Sequence, residues 1–323
     1  MATSYISISA RDFPRTLFRG IGQVMFQDSW LAGVLFLCGI FWGAYEEGLG
    51  IVAWGALVGV VVSTLTGYIL HLPDQKGAQG LWGFNGVLVG CAFPTFMGNT
   101  VWMLVALVIC SAMTTWVRTG LDNVMKPWKV SSLTAPFVIS TWFFLLAARL
   151  FSGMPPVHMS TPEFAHGAQE ALNFEFGDLV VIWLKGISQV FLINSWVTGI
   201  LFLAGLAVSN WRAAMWAAIA SALSLATVIV WHGPGSDIAN GLYGFSAVLT
   251  GIALGATFCN NSWKAAAWTL VGIIVTVFIQ AAMNAFFSPM GLPTLTGPFC
   301  VATWIFLFPA YSFLSPADPS KKK

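Results

Sequence analysis

The stretch from Gly80 to Gly90 reads GLWGFNGVLVG, and it occurs a second time from Gly241 to Gly251 as GLYGFSAVLTG. Both versions keep the same glycines at the start, an aromatic residue at the fifth position and leucine four residues later. A match of this length within one chain suggests that the chain contains two copies of one structural unit.

Two further stretches recur in the same order. GIGQVMFQDSW (Gly20–Trp30) returns as GISQVFLINSW (Gly186–Trp196), and LTAPFVISTW (Leu133–Trp142) returns as LTGPFCVATW (Leu295–Trp304). Three matched blocks at a nearly constant spacing indicate an internal duplication, and a repeat has to be recognised before a fold is assigned.

The composition indicates a membrane protein. Hydrophobic residues make up 57% of the 323 residues and charged residues only 8%, whereas soluble domains carry about 25% charged residues. The fold class predicted is therefore an all-α polytopic protein with the lipid bilayer as its surroundings. The net charge of +2 says nothing about nucleic acid, but the sequence has no basic stripe, so we expect no nucleic-acid partner. The five cysteines lie in apolar segments without a CxxC pair, so we expect no metal site and no cofactor.

Each copy is predicted to contain one short segment and five longer apolar segments. Pro14 to Asp28 is too short for the roughly 20 residues of a membrane span and is interpreted as a half-helix that enters and stops. In the first copy the apolar segments lie near 30–44, 51–71, 82–98, 100–118 and 132–150. In the second copy a short segment at 179–194 precedes apolar segments near 195–209, 211–231, 242–258, 263–287 and 295–313. The total is about ten transmembrane helices plus two re-entrant half-helices.

These segments predict four regions. Residues 1–150 form the first repeat, and residues 151–178, the only long polar stretch, form an extracytoplasmic linker. Residues 179–315 form the second repeat, and residues 316–323 form a basic cytoplasmic tail.

An odd number of spans in each copy predicts that the two repeats have inverted topology. With the N-terminus in the cytoplasm, 12 Lys and Arg residues fall on the cytoplasmic side and only Arg149 and Lys185 fall outside. This bias agrees with the positive-inside rule. Both termini are therefore expected in the cytoplasm. Inverted repeats place their binding site near the membrane midplane between the copies, at short or interrupted segments, which here predicts a central pore.

The polar residues matched between the copies are neutral, and they indicate the type of solute. They are Gln23 with Gln189, Thr134 with Thr296, and Asn85 with Ser246. Pumps and coupled transporters usually carry ionisable residues within the membrane, and the apolar parts of the matched blocks have none. We therefore expect passive passage of an uncharged solute and no enzymatic activity. We interpret Asn85 as structural, and the proline after each threonine as a residue that frees helical carbonyls one turn earlier.

The matched apolar residues suggest the shape of the solute. Phe84 and Leu88, like Phe245 and Leu249, lie four residues apart on one helical face. A phenylalanine beside a leucine at each end of the pore would form a flat apolar slot. Such a slot, together with a row of acceptor oxygens, suits a small planar molecule with several N–H donors, such as urea. Each feature also has an ordinary explanation: core packing for Phe and Leu, a helix–helix hydrogen bond for Gln, and a satisfied kink for Thr. The occurrence of all three in both copies favours the pore.

At these blocks the chain resembles the urea transporter family. The resemblance rests on GLWGFNGVLVG, the GxxQV start of the half-helix and the LTxPF element in both halves, and it covers about Leu17 to Phe313. It implies a urea channel on the pseudo-twofold axis of each subunit of a homotrimer, with an aromatic slot at each mouth and a constriction between them.

The resemblance also implies roles for individual residues. Gln23 and Gln189 resemble the polar residues that head the half-helices, and Thr134 and Thr296 resemble the threonines at the narrow middle. The outer slot would comprise Phe26, Phe84, Leu88 and Val190, and the inner slot Val24, Leu192, Phe245 and Leu249. Leu192 differs from the aromatic residue that symmetry with Phe26 would give, and some members carry an acid in place of Gln189.

Rival interpretations fit the sequence less well. An ammonia or ammonium channel would need two histidines facing each other in the pore, whereas His71 and His232 stand at segment ends before prolines. A water channel of the aquaporin type would need two NPA tripeptides, and none occurs. A membrane scaffold without transport would not need matched polar residues at mid-depth. The compact termini suggest the inner (plasma) membrane of a bacterium.

Overall fold

A computed structural model describes residues 12–72, 77–165 and 174–314. The described residues are helical or irregular, without a strand, apart from a single antiparallel bridge between Met97 and Pro156. The chain divides into two compact units, Met1–Ser160 and Thr161–Lys323. The division falls inside the polar stretch that was interpreted as a linker. Lys76, residues 166–173 of that stretch, and the predicted basic tail 316–323 lie outside the described residues.

The first unit contains six α-helices among its described residues. They are α1 (Phe13–Gln23), α2 (Trp30–Glu46), α3 (Ile51–Ile69), α4 (Phe84–Phe96), α5 (Val101–Met125) and α6 (Ala135–Ala148). A 3₁₀ turn at Gly77–Gln79 precedes α4 and another at Lys126–Trp128 follows α5.

In the part of the chain that the structure describes, the second unit follows the same order, with one additional short helix. Its helices are α7 (Phe176–Ser188), α8 (Trp196–Ser209), α9 (Trp211–Val230), α10 (Gly235–Ala239), α11 (Gly244–Ile252), α12 (Trp263–Phe287) and α13 (Gly297–Phe313). 3₁₀ turns at Gln189–Phe191 and Ser288–Met290 follow α7 and α12, and a π-helical segment, Ala253–Phe258, continues α11.

Several of these helices are long and apolar enough to cross a membrane. Among the described residues they are Ile51–Ile69, Val101–Trp128, Trp211–Val230 and Trp263–Met290, each with its adjoining 3₁₀ turn where one follows. Shorter apolar helices accompany them: Trp30–Glu46, Phe84–Phe96, Ala135–Ala148, Gly244–Phe258 and Gly297–Ala310. The segment Phe176–Phe191 and the following helix Trp196–Ser209 are bent by 71° at their junction. The helical membrane class predicted from composition is thus confirmed, whereas the number of spans and the inverted topology stay predictions.

Serine or threonine side chains cap the N-termini of equivalent helices in both units. Ser29 and Ser195 accept hydrogen bonds from main-chain N–H groups in the first turns of α2 and α8, at 3.3 and 3.4 Å. Thr100 and Ser262 do the same for α5 and α12, at 3.0 and 3.1 Å. Such caps satisfy donors that a helix leaves free at its start.

The backbone also takes the left-handed conformation at equivalent positions in both units. The pairs with positive φ are Phe26 with Leu192, His71 with His232, Gly80 with Gly241, Lys129 with Gly291, and Leu133 with Leu295. The two members of each pair are separated by nearly the same number of residues as the two copies of each duplicated block. The two units therefore share their turns as well as their helices.

Glycines allow the half-helices to pack closely. A Cβ atom on Gly33 of α2 would overlap the carbonyl oxygen of Phe18 in α1, and one on Gly199 of α8 would overlap that of Leu184 in α7. Gly80, with φ +86°, lies against the main chain of Gly20 in the same way. The duplicated glycines therefore hold the half-helix against both the helix after it and the turn before α4.

Candidate functional site

The two matched glutamines occupy equivalent places at the ends of the half-helices. Gln23 is the last residue of α1, and its side-chain Nε2 donates to the carbonyl of Gln79 at 3.0 Å. Gln189 follows α7, and its Nε2 donates to the carbonyl of Asn240 at 3.0 Å. Gln79 and Asn240 each stand immediately before a glycine with positive φ. In both units the glutamine amide therefore joins the half-helix to the turn that leads into the next candidate residues.

Two bulky residues end the half-helix turns in a conformation that such side chains rarely adopt. Phe26 has φ 63° and Leu192 has φ 59°. Their N–H groups donate to the carbonyls of Gln23 and Gln189, at 3.0 and 2.9 Å. A left-handed residue with a side chain costs about 1–2 kcal/mol, and strain of this kind tends to persist at functional sites. The shared conformation shows that Leu192 is the structural equivalent of Phe26, although it is not aromatic.

The two phenylalanines of the predicted slots stand at the starts of matching helices. Phe84 is the first residue of α4 and Phe245 the second residue of α11, and each is followed one turn later by a fully buried leucine, Leu88 or Leu249. Phe245 is half-buried, whereas Phe84 is buried. The guanidinium carbon of Arg118 in α5 lies 5.9 Å from the centre of the Phe84 ring, within the range of a cation–π contact.

The two threonines stand immediately before α6 and α13. Both are buried, and neither side chain caps its helix. The residue before each of them, Leu133 or Leu295, has positive φ.

The prolines after these threonines correct one interpretation from the sequence. Pro136 and Pro298 lie in the first two positions of α6 and α13. An N–H group at these positions has no intrahelical partner, so a proline there removes no helical hydrogen bond. The expectation that the prolines free carbonyls one turn earlier is therefore wrong. They mark where a helix begins, with the threonine at the junction.

Asn85 has the structural role expected from the sequence. It is buried on α4, and its Oδ1 accepts a hydrogen bond from the N–H of Phe137 in the first turn of α6, at 3.2 Å. This contact joins the helix that carries Phe84 to the helix that follows Thr134. The matching Ser246 is buried, and its hydroxyl makes no hydrogen bond among the described residues.

Within each unit the candidate residues fall on elements that touch one another. In the first unit α4 contacts both α1 and α6, and in the second unit α11 contacts both α7 and α13. Val24 and Val190 are buried beside Gln23 and Gln189. Each predicted slot combines residues of both units. Val190 of the second unit was assigned to the outer slot, and Val24 of the first unit to the inner slot. That grouping stays a prediction.

Sequence reasoning missed a polar pair on α5 and its equivalent on α12. Arg118 was counted only as a positive charge on the cytoplasmic side, but it is buried in the first unit and binds Asp122. Gln280 and Asn284 stand at the matching positions of α12. The sequence contained a signal for this equivalence: Arg118 and Gln280, like Asp122 and Asn284, are separated by the same number of residues as Thr134 and Thr296.

The long apolar helices define a helical membrane protein, and the relatives of the chain specify the family. Residues 14–311 match the family described as urea transporter. The chain is 31% identical to urea transporter 1 of sheep (Ovis aries) and of goat (Capra hircus) over 310 residues, which cover 92% of this chain and 77% of each relative. It is 30% identical to urea transporter 1 of rat (Rattus norvegicus) over 302 residues, covering 90% and 75%. The chain belongs to the urea transporter family.

Proposed function

We propose that this protein is a channel for the passive passage of urea across a membrane. The observation that carries the proposal is the pair of matching half-sites, each with an anchored glutamine, a Phe–Leu pair and a buried threonine at a helix start, in a chain of the urea transporter family. None of the residues proposed below to line the path is ionisable. A path with such a lining suits a neutral solute.

The two half-sites are proposed to line one permeation path. Its lining would comprise Gln23, Val24, Phe26, Phe84, Leu88, Thr134, Gln189, Val190, Leu192, Phe245, Leu249 and Thr296. Urea is planar and carries four N–H donors, so flat Phe and Leu side chains would contact its faces while oxygen acceptors bind its edges. Each glutamine uses an amide N–H to hold the turn beside it, which leaves its Oε1 as an acceptor for a urea N–H.

The absence of a coupling group in this lining predicts transport without an energy source. Proton or sodium coupling generally uses acidic or basic side chains at the site. Urea would therefore move down its own gradient, in either direction. We further propose the inverted arrangement of the two repeats, cytoplasmic termini and a homotrimer with one pore in each subunit. Placement in a bacterial inner membrane stays a prediction, since the relatives named above are mammalian.

The alternative of an ammonia or ammonium channel receives no support from the histidines. His71 and His232 directly follow Leu70 and Trp231 at the ends of α3 and α9, and both are exposed within their units. A water channel would not need a flat apolar slot with matched acceptors.

A flux assay in liposomes tests the proposal. The purified protein is reconstituted, and urea efflux and influx are followed by stopped-flow light scattering with and without ionophores that collapse proton and sodium gradients. We expect equal, saturable urea flux in both directions, unchanged by the ionophores and absent from protein-free liposomes. Loss of downhill flux on collapse of the gradients would exclude a channel, and flux of ammonia or water without urea would favour the alternative.

A further inference from the structure

A polar pair on α5 connects two parts of the first half-site. Arg118 Nη1 donates to the carbonyl of Leu81 at 2.9 Å, in the turn that leads into Phe84. Arg118 Nη2 lies 3.3 Å from Asp122 Oδ2. The other carboxylate oxygen of Asp122 accepts a hydrogen bond from the N–H of Ser132 at 2.8 Å, two residues before Thr134. One helix therefore holds both the turn before the slot phenylalanine and the turn before the threonine.

A second polar pair makes the same connections in the second unit, without charge. Gln280 of α12 donates from Nε2 to the carbonyl of Leu242, in the turn that leads into Phe245. Asn284 accepts at Oδ1 from the hydroxyl of Thr294 at 3.1 Å, two residues before Thr296.

The two pairs are equivalent residue by residue. Gln280 and Asn284 follow Arg118 and Asp122 by the same number of positions as Thr296 follows Thr134. Their backbone partners, Leu81 and Leu242, lie in the duplicated GLWGF and GLYGF turns. In both units the pair is spaced four residues apart on its helix, so both side chains project from one face.

We propose that these four side chains are positioning residues for urea passage: in each unit they set the distance between the slot phenylalanine and the threonine. The hydrogen bonds to these two segments, rather than the charge of the first pair, would be the property that matters, because in the second unit two amides bond to the equivalent segments. This inference rests on the proposed function. It differs from direct binding, since Arg118 and Gln280 donate to main-chain carbonyls, and Asp122 and Asn284 accept from the segments that precede the threonines.

The charged pair in the first unit gives a sharp test. The side chain of Arg118 is 10% exposed and that of Asp122 is 30% exposed. Arg118→Gln alone removes the positive charge and leaves the carboxylate without its ion partner in a largely buried place, which is unfavourable. The double variant R118Q/D122N copies the pair found in the second unit and leaves no unpaired charge.

The experiment compares R118Q, D122N and R118Q/D122N with the wild type in reconstituted liposomes. Two quantities are measured: the urea flux per reconstituted protein, and the ratio of urea flux to N,N′-dimethylurea flux. A loss of folded protein lowers both fluxes together and leaves the ratio unchanged, whereas a displaced slot changes the ratio. R149Q is the matched control, because Arg149 also donates to a main-chain carbonyl, that of Ser160 at 3.2 Å, outside the half-site.

The single variants are expected to lose on the order of tenfold in urea flux and to change the flux ratio, since groups in one network couple strongly. The double variant is expected to return to within about twofold of the wild type in both measurements, and R149Q to stay at the wild-type ratio. A double variant as impaired as R118Q would show that charge itself is required and would overturn the inference. So would an unchanged flux ratio in all variants. A wild type that conducts no urea would instead overturn the proposed function.

Discussion

Gln189 donates its side-chain amide to the main-chain carbonyl of Asn240, with the two atoms 3.0 Å apart. Asn240 directly precedes Gly241, whose φ of +68° starts the turn that leads into Phe245. The same hydrogen bond joins Gln23 to Gln79 in the first unit at the same distance. Each glutamine therefore has two tasks in the proposed mechanism: its nitrogen holds the slot turn and its oxygen accepts from urea.

Separate substitutions at Gln189 should distinguish these tasks. Gln189→Leu removes both the donor and the acceptor, and one hydrogen bond is worth about 1 kcal/mol or somewhat more. We expect urea flux to fall roughly tenfold if this step limits the rate. Gln189→Glu keeps acceptor oxygens and loses the donor, so its flux should be intermediate and should rise at acidic pH, where a protonated carboxyl can donate again. Stopped-flow urea flux between pH 5 and pH 8 measures both effects. Wild-type flux in the Leu variant would remove Gln189 from the mechanism.

The close contact between α1 and α2 predicts a strong effect of a single methyl group. A Cβ atom on Gly33 would overlap the carbonyl oxygen of Phe18, and this oxygen belongs to rigid helical backbone. Gly33→Ala should therefore destabilise the protein by about 3 kcal/mol or more, seen as a lower temperature of unfolding in detergent. Gly120→Ala is the control, because nothing lies within 4 Å of a Cβ atom at Gly120 in α5, and the helix should gain up to about 1 kcal/mol. Equal unfolding temperatures for the two variants would contradict the packing argument.

Much of the fold was predictable because it depends on local and repeated signals. The short segment Pro14–Asp28 appears as α1, which ends at Gln23, and the capping residues Ser29 and Ser195 stand where the apolar segments begin. Hydrophobic length and helix-start chemistry are properties of neighbouring residues, so a sequence displays them directly.

The sequence was least informative where distant contacts decide the structure. Pro136 was interpreted as a break inside a helix, because the sequence does not show that the helix begins only at Ala135. The contact between Arg118 and Leu81 was not predicted, because Leu81 lies 37 residues away in the sequence. The left-handed backbone of Leu192 could not be read from a leucine, which normally avoids this conformation.

Asp237 predicts how stability depends on pH. It lies in the short helix α10, outside the spanning segments, and burial raises the pKa of its carboxyl above the ordinary value of 3.8. Below 3.8 the carboxyl is protonated in the folded and unfolded states alike. As the pH rises from 3.8 to the folded-state pKa, the unfolded state releases its proton while the folded state still holds it, so the folded state loses stability over this interval. Asp237→Asn should raise the unfolding temperature at pH 7 and have no effect at pH values below the ordinary pKa. The exposed Glu163→Gln serves as control, and equal effects of Asp237→Asn at both pH values would contradict this account.

The two threonines provide the most direct test of the proposed pore. Thr134 and Thr296 are buried at the starts of α6 and α13 and follow leucines with φ of 54° and 51°. Replacing either threonine by valine keeps the shape and removes the oxygen that would accept a urea N–H. A lost partner in a buried site costs about 1–3 kcal/mol, so Thr134→Val or Thr296→Val should reduce urea flux by about five- to a hundredfold with folding intact. Thr134→Ser and Thr296→Ser restore the oxygen and should retain most of the flux.

A purely structural role predicts the opposite order. Valine would then be tolerated, while serine would leave a cavity of one methyl group and lower stability by about 1 kcal/mol. Thr269→Val is the matched control, because Thr269 is fully buried in α12 and its hydroxyl donates to the carbonyl of Ala265 at 2.7 Å, apart from the proposed lining. Urea flux normalised to reconstituted protein, with unfolding temperatures for all five variants, decides between the two roles. Valine variants with wild-type flux would exclude the threonines from the permeation path, whereas low flux in valine but not in serine or in Thr269→Val would assign the barrier to the missing oxygen.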